Sequence, residues 1–240
     1  MPEVVVASLA SLEETARIAD ALAAWEPTLG LSVYQNEPSF FDADATIYGI
    51  VLSDDSTLTV RHKPRNVGRG DAIVVPRGVL VDAEPGVTML ALTHDGVAPV
   101  HFRERFIQTW GMEHLPLVET NESVAVVIPG DSARYRLSYE VVDLTSGPVL
   151  NTTGLNIHML VVLAGAPRLL IDDSPVIELE SDHLALIPSL VTYHLDGVGR
   201  IGRVVFETET AHESRKFNLA VERLENSDPE FRPKHGSVRH

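Results

Sequence analysis

Residues 182–194 read DHLALIPSLVTYH, and residues 70–81 read GDAIVVPRGVLV. Each stretch opens on a glycine or an acid, runs through four apolar residues to a proline, and then returns. Pro76 and Pro188 stand 112 residues apart, as one unit used twice would place them. The runs Ala72–Val75 and Leu184–Ile187 suit short strands buried on both faces. Proline removes a ladder donor, so each strand must stop or lie at an edge. Gly78 then permits a tight reversal in the first copy. The segments Val79–Val81 and Val191–His194 would carry their side chains back to the same interior. Arg69-Gly70-Asp71 reads as the turn that opens the first of these strands.

The repeat reaches beyond the prolines. Ile50-Val51-Leu52 matches Val161-Val162-Leu163 at a spacing of 111, and HFRERF at 101–106 matches HESRKF at 212–217 at the same spacing. Several features at nearly constant offset indicate duplication. Between them lie short strand signals separated by polar turns, the pattern of an antiparallel sandwich or barrel. Strands are expected at 4–7, 31–35, 46–53, 57–61, 71–75, 79–81 and 87–93. In the second half they are expected at 123–129, 134–141, 157–163, 168–171, 176–179, 183–187, 191–195 and 201–207. Ala164-Gly165 and Asp196-Gly197 read as turns. Ser11 and Glu14 make a capping box for a helix over 11–25, which Pro27 ends. Helices are also expected at 101–110 and 212–225, and a linker at 113–121.

Composition bounds the function. A net charge of −15 argues against nucleic-acid backbones and anionic membrane surfaces, which call for basic patches. The mean hydropathy is near zero, as for a soluble globular chain. With no cysteine, disulfides, thiolate metal sites and cysteine nucleophiles are excluded. The N-terminal residues lack a signal-peptide pattern, so a cytoplasmic location is expected.

The motif formed by Gly70, Pro76 and Gly78 resembles the second motif of the cupin superfamily. The second copy keeps Pro188 but has Asp182 and Leu190 at the glycine positions. The resemblance implies a mainly β chain of two tandem cupin-type jelly-roll barrels with a few peripheral helices. Residues 1–112 would hold the N-terminal helix and first barrel, and residues 113–240 the second barrel, a C-terminal helix and a tail. It also implies possible pairing into a homodimer.

Cupins commonly hold a metal on two His and a Glu from one motif and a His from the other. Aligning Ile50-Val51-Leu52 with the Tyr-Val-Leu segment of that family puts Phe40, Asp42, Ile47 and Val81 at those positions in the first half. In the second half it puts Asn151, Thr153, His158 and Tyr193 there, with His194 beside the last. The usual ligand set is absent from both halves, so neither a metal nor another cofactor is expected. The resemblance then implies a small polar ligand, such as a carbohydrate or organic acid, bound in the second barrel. His158, Tyr193, His194, Asn151 and Thr153 are the candidate lining residues. His158 lies in an apolar strand and reads equally as a packed, neutral histidine with one hydrogen bond. Tyr193 and His194 must point to opposite faces of their strand. The second half is also similar to the metal-free cupin halves of type I phosphomannose isomerases, which would make His158 and Tyr193 an acid–base pair. The alternatives are a metal-dependent dioxygenase or sugar isomerase using His158 and His194, and a non-catalytic dimerising module.

Overall fold

The computed structural model describes residues 3–27, 29–35, 46–60, 63–75, 81–94, 109–110, 118–120, 123–128, 137–171, 174–206, 208, 211 and 214. Phe40, Asp42, Pro76, Gly78, His101, Phe106, His212 and Phe217 lie outside the described residues, as does nearly all of the helix expected at 212–225.

The first half runs β1 (Val5–Ser8), α1 (Leu12–Trp25), β2 (Leu29–Gln35), β3 (Thr46–Val51), β4 (Ser56–Val60), β5 (Lys63–Val67), β6 (Ala72–Val75), β7 (Val81–Ala83), β8 (Thr88–His94) and β9 (Thr109–Trp110). The second half runs β10 (Val118–Thr120), β11 (Ser123–Ile128), β12 (Leu137–Asp143), β13 (Val149–Thr152), β14 (Ile157–Ile171), β15 (Ile177–Glu178), β16 (His183–Ile187) and β17 (Thr192–Phe206). The chain is thus mainly β. Its ladders make a five-stranded sheet (β2-β8-β3-β6-β9), a three-stranded sheet (β5-β4-β7) and an open nine-stranded sheet. The last has β14 and β17 at its centre. Among the described residues, no helix is long and apolar enough to cross a membrane.

Helix α1 forms as its sequence demands. Ser11 Oγ accepts the Glu14 backbone N–H at 3.3 Å, while the Glu14 carboxylate reaches past the cap to the Ser8 N–H at 2.6 Å. Ile18 and Leu22 are buried, but Leu12 is exposed, because the apolar stripe begins one turn later.

Four sequence expectations are corrected. Thr109–Trp110, the end of the helix expected at 101–110, pairs as a strand with Ala72 and Ile73. Val118–Thr120, inside the expected linker, pairs with β11. The turns expected at Ala164-Gly165 and Asp196-Gly197 are instead bends within two continuous strands. There Gly165 lies opposite Gly199 and Pro167 opposite Gly197. Both turn glycines keep positive φ (+85° and +98°), and a Cβ on Gly165 would fall 2.3 Å from the Val198 carbonyl oxygen. The crossing therefore requires glycine for backbone approach as well as for conformation. β1, at the start of the chain, pairs through Val5–Ser8 with β16.

Positions 111 or 112 residues apart pair alike in the two halves. Ile47 pairs with Val75 and Thr93, and His158 pairs with Ile187 and Val205. Gly49 pairs with Ala91, and Leu160 with Arg203. Gly70 N–H donates to Val51 O at 2.8 Å, and Asp182 N–H to Val162 O at 3.1 Å. Asp182 and Leu190, which replace glycines, both take up left-handed backbone (φ +66° and +65°), as Gly70 does (φ +92°).

Burial on both strand faces explains the unbroken apolar runs. One face of β14 (Ile157, Met159, Val161, Leu163) packs against Tyr48, Ile50, Leu90 and Leu92 of the first half, with Ile18 and Leu22 of α1. Its other face (Leu160, Val162) shares a separate core with Leu169, Ala185, Ile187, Tyr193, Leu195 and Ile201. The first half has the matching inner core of Ile47, Val51, Leu58, Ile73, Val81, Met89 and Ala91. The long antiparallel β14–β17 pair bends at its glycines, and the inner core of the second half gathers residues from both its ends: Leu160, Val162 and Ile201 with Leu169, Tyr193 and Leu195.

Candidate functional site

Polar side chains enter the second inner core from both ends of that strand pair. His158 projects from the start of β14 and is 6 % exposed, while Tyr193 projects from the start of β17 and is fully buried. They meet across the core: Tyr193 Oη lies 2.9 Å from His158 Nδ1, with the rings edge to face at 5.8 Å between centroids. Burial pushes the imidazole down to about 4 and pushes the phenol up, so both are neutral near pH 7. A neutral phenol has a proton to donate, and Nδ1 can accept it. That leaves the ring proton on Nε2.

A second polar pair lies beside the first. Arg203 of β17 sits between Leu160 and the buried Glu140 of β12 in the ladder. Its Nη2 forms an ion pair with Glu140 Oε1, and its Nη1 donates to Asn151 Oδ1. Asn151 belongs to β13, registered opposite Tyr193. Desolvation pushes Arg203 down to about 10. Among the described residues, two buried donors, Asn151 Nδ2 and Arg203 Nε, have no hydrogen-bond partner.

The structure therefore brings together three of the five residues singled out from sequence: Asn151, His158 and Tyr193. Thr153 is buried, but its hydroxyl accepts the Val191 N–H at 2.9 Å and lies 3.2 Å from the Val191 carbonyl, so it closes the turn before β17. His194 is exposed on the opposite strand face and does not meet His158. Glu140 and Arg203 were missed. The available signal was a single charge between apolar or small neighbours, Tyr139-Glu140-Val141 and Gly202-Arg203-Val204.

This set does not fit the metal that the fold resemblance implies. The position of one expected imidazole holds Asn151, whose oxygen is taken by a guanidinium. Tyr193 is committed to His158, and Thr153 to the backbone. Glu140, the one buried carboxylate of the set, is taken up by Arg203. Among the described residues, no three His, Asp or Glu side chains converge as a cage would require. In the first half, an open groove of about 490 Å³ is lined by Asp55, Ser56, Thr57, Asn66 and Asp71, well away from these residues in sequence and on different strands.

No family model matches the chain, and no curated protein does. Solved structures do. Salicylate 1,2-dioxygenase from Pseudaminobacter salicylatoxidans is 12 % identical with a TM-score of 0.57, the match covering 90 % of this chain and 86 % of that one. Protein Ylba from E. coli is 13 % identical with a TM-score of 0.53, covering 75 % and 83 %. A Cupin 2 conserved barrel domain protein from Leptotrichia buccalis is 8 % identical with a TM-score of 0.50, covering 85 % and 88 %. At such identities the likeness defines the fold alone, and that fold is cupin-type.

Proposed function

We propose that the chain is a tandem cupin-type protein, two jelly-roll units side by side, that holds a small polar molecule within the second unit without a standard metal cage. The observation that carries this reading is the contrast between the two inner cores. At the register positions of His158, Tyr193 and Arg203, the first half has Ile47, Val81 and Ala91, all buried and apolar. The fold thus closes well with hydrocarbon at these places. A buried ion pair and a buried His–Tyr pair cost desolvation that aliphatic side chains avoid. Among the described residues they are present in the second half only, which is consistent with a use beyond packing. The Tyr193–His158 hydrogen bond is made between two neutral groups, which suits orientation of a ligand better than proton transfer near pH 7.

The test is a thermal-shift screen of small polar metabolites, sugars and organic acids included, on the wild type and on His158→Leu. At least one compound is expected to raise the wild-type melting temperature and to lose that effect in the variant. A compound whose effect survives the substitution, or a screen with no response, rejects the reading. Stoichiometric transition metal in protein purified without chelators, lost in His158→Leu, would instead favour a metal-dependent enzyme.

A further inference from the structure

We propose that the interior site takes a small uncharged carbonyl compound, held on the N–H donors of Asn151 and Arg203; this rests on the interior-binding reading above and names its ligand class. The argument is a count of donors and acceptors. Arg203 has donors only, and Asn151 has one acceptor oxygen beside its two amide protons. Nη1 of Arg203 fills the Asn151 oxygen, and Nη2 pairs with Glu140. What is left over at the site is Arg203 Nε and Asn151 Nδ2, both buried and both donors. Among the described residues these are the buried side-chain nitrogens and oxygens that lack a partner, and they belong to two side chains bonded to each other. Native proteins rarely leave such groups unfilled without a functional occupant or an ordered water. Water would bring two protons that need acceptors, and the cluster offers only the Glu140 carboxylate and the Asn151 oxygen, both already engaged by Arg203. A carbonyl oxygen brings two lone pairs and no proton.

Charge selects among acceptors. Glu140 already neutralises Arg203, and the buried His158 is uncharged near pH 7. A carboxylate would place a second negative charge beside Glu140 with no further buried cation in the cluster to balance it. A ketone, amide or lactone satisfies the same donors at no charge cost.

The test uses side-chain nitrogen NMR of the full chain, following the Asn151 amide and the Arg203 Nε–H. Cyclopentanone, cyclopentanol and cyclopentanecarboxylate are the probes. Cyclopentanone is expected to shift both signals, with the alcohol and the carboxylate weaker by roughly tenfold, about the worth of one hydrogen bond. Asn151→Asp, which turns a donor into an acceptor of nearly the same shape, is expected to abolish the ketone response. Arg203→Lys, which keeps a cation against Glu140 but removes Nε, is the second variant should the first not fold. A carboxylate that binds best, an alcohol that binds as well, or a long-lived water that no probe displaces overturns the carbonyl assignment. So does a polar ligand that moves the His158 and Tyr193 signals but neither donor. In these cases the interior-binding reading can stand alone. If no polar molecule moves any interior signal, both fall.

Discussion

Arg69 Nη1 donates to Asp182 Oδ1 over 2.7 Å. Asp182 stands at the repeat position of Gly70, so the turn opening one copy of the repeated stretch holds the turn opening the other. Arg69 also reaches the Leu163 carbonyl at 3.4 Å and Asp54 at 3.5 Å. Beside it, the buried Tyr139 hydroxyl donates to Gly70 O at 2.7 Å, which ties β12 of the second half to the same turn of the first.

These two links differ in solvent access and therefore in their response to salt. The Arg69 and Asp182 side chains are 24 % and 42 % exposed. Arg69→Ala is expected to cost about 0.5–1 kcal/mol, with most of that loss vanishing in molar salt. Tyr139→Phe leaves a buried carbonyl without its donor and is expected to cost about 1–2 kcal/mol whatever the salt. Urea unfolding at low and high ionic strength separates them. Equal salt sensitivity in both variants would contradict this account.

Leu190 takes left-handed backbone (φ +65°) with its side chain 70 % exposed. A non-glycine residue there costs about 1–2 kcal/mol, and little burial offsets it. Leu190→Gly should therefore stabilise the protein by about 1 kcal/mol after the extra chain entropy of glycine is counted. Asp182→Gly relieves similar strain but removes the acceptor of Arg69, so it should come out near neutral. Melting temperatures of the two variants decide this; a Leu190→Gly variant that melts below the wild type would mean the exposed leucine makes a contact of value.

The parts of this fold that were legible in the sequence are those where local pattern and burial agree. Leu184–Ile187 announced β16 because both its faces are apolar, one toward the other half and one toward its own core. The twin turns were visible through Gly70 and through the acid and leucine that stand in for glycine. β5 was missed because Lys63-Pro64-Arg65-Asn66-Val67 looks like a loop; it is tolerated as a strand because it pairs on one side only, with β4. The length of β14 and β17 was hidden by glycines that normally punctuate a chain but here allow two bent strands to stay paired. Of the candidate site, His158 stood out as a polar residue in an apolar strand, and Tyr193 and Asn151 through the positions that the cupin resemblance gives them. Glu140 and Arg203 did not, since a charge in an alternating strand reads as solvent-facing. Their side chains share the face of Val142, Leu160 and Ile201 in the second half's inner core, while Tyr139, Val141 and Val204 on the other face pack with the first half, so neither face meets solvent.

His158 makes the stability of the protein depend on pH in a predictable window. Burial pushes its imidazole down to about 4 from an ordinary value of 6.5. The unfolded chain therefore binds a proton as the pH falls through 6.5, while the folded chain resists until about 4. The contribution of His158 is complete above the upper value, is lost progressively as pH drops between the two, and levels off below. The total is about 3 kcal/mol. His158→Leu should flatten the wild-type slope across this window, measured as urea unfolding free energy at successive pH values. The Tyr193 phenol favours the neutral ring by donating to Nδ1, so Tyr193→Phe should move the His158 midpoint upward in an NMR titration. A wild-type His158 that titrates near 6.5, or a His158→Leu slope equal to the wild type's, would show that the ring is hydrated and that the inner core of the second half is open to solvent.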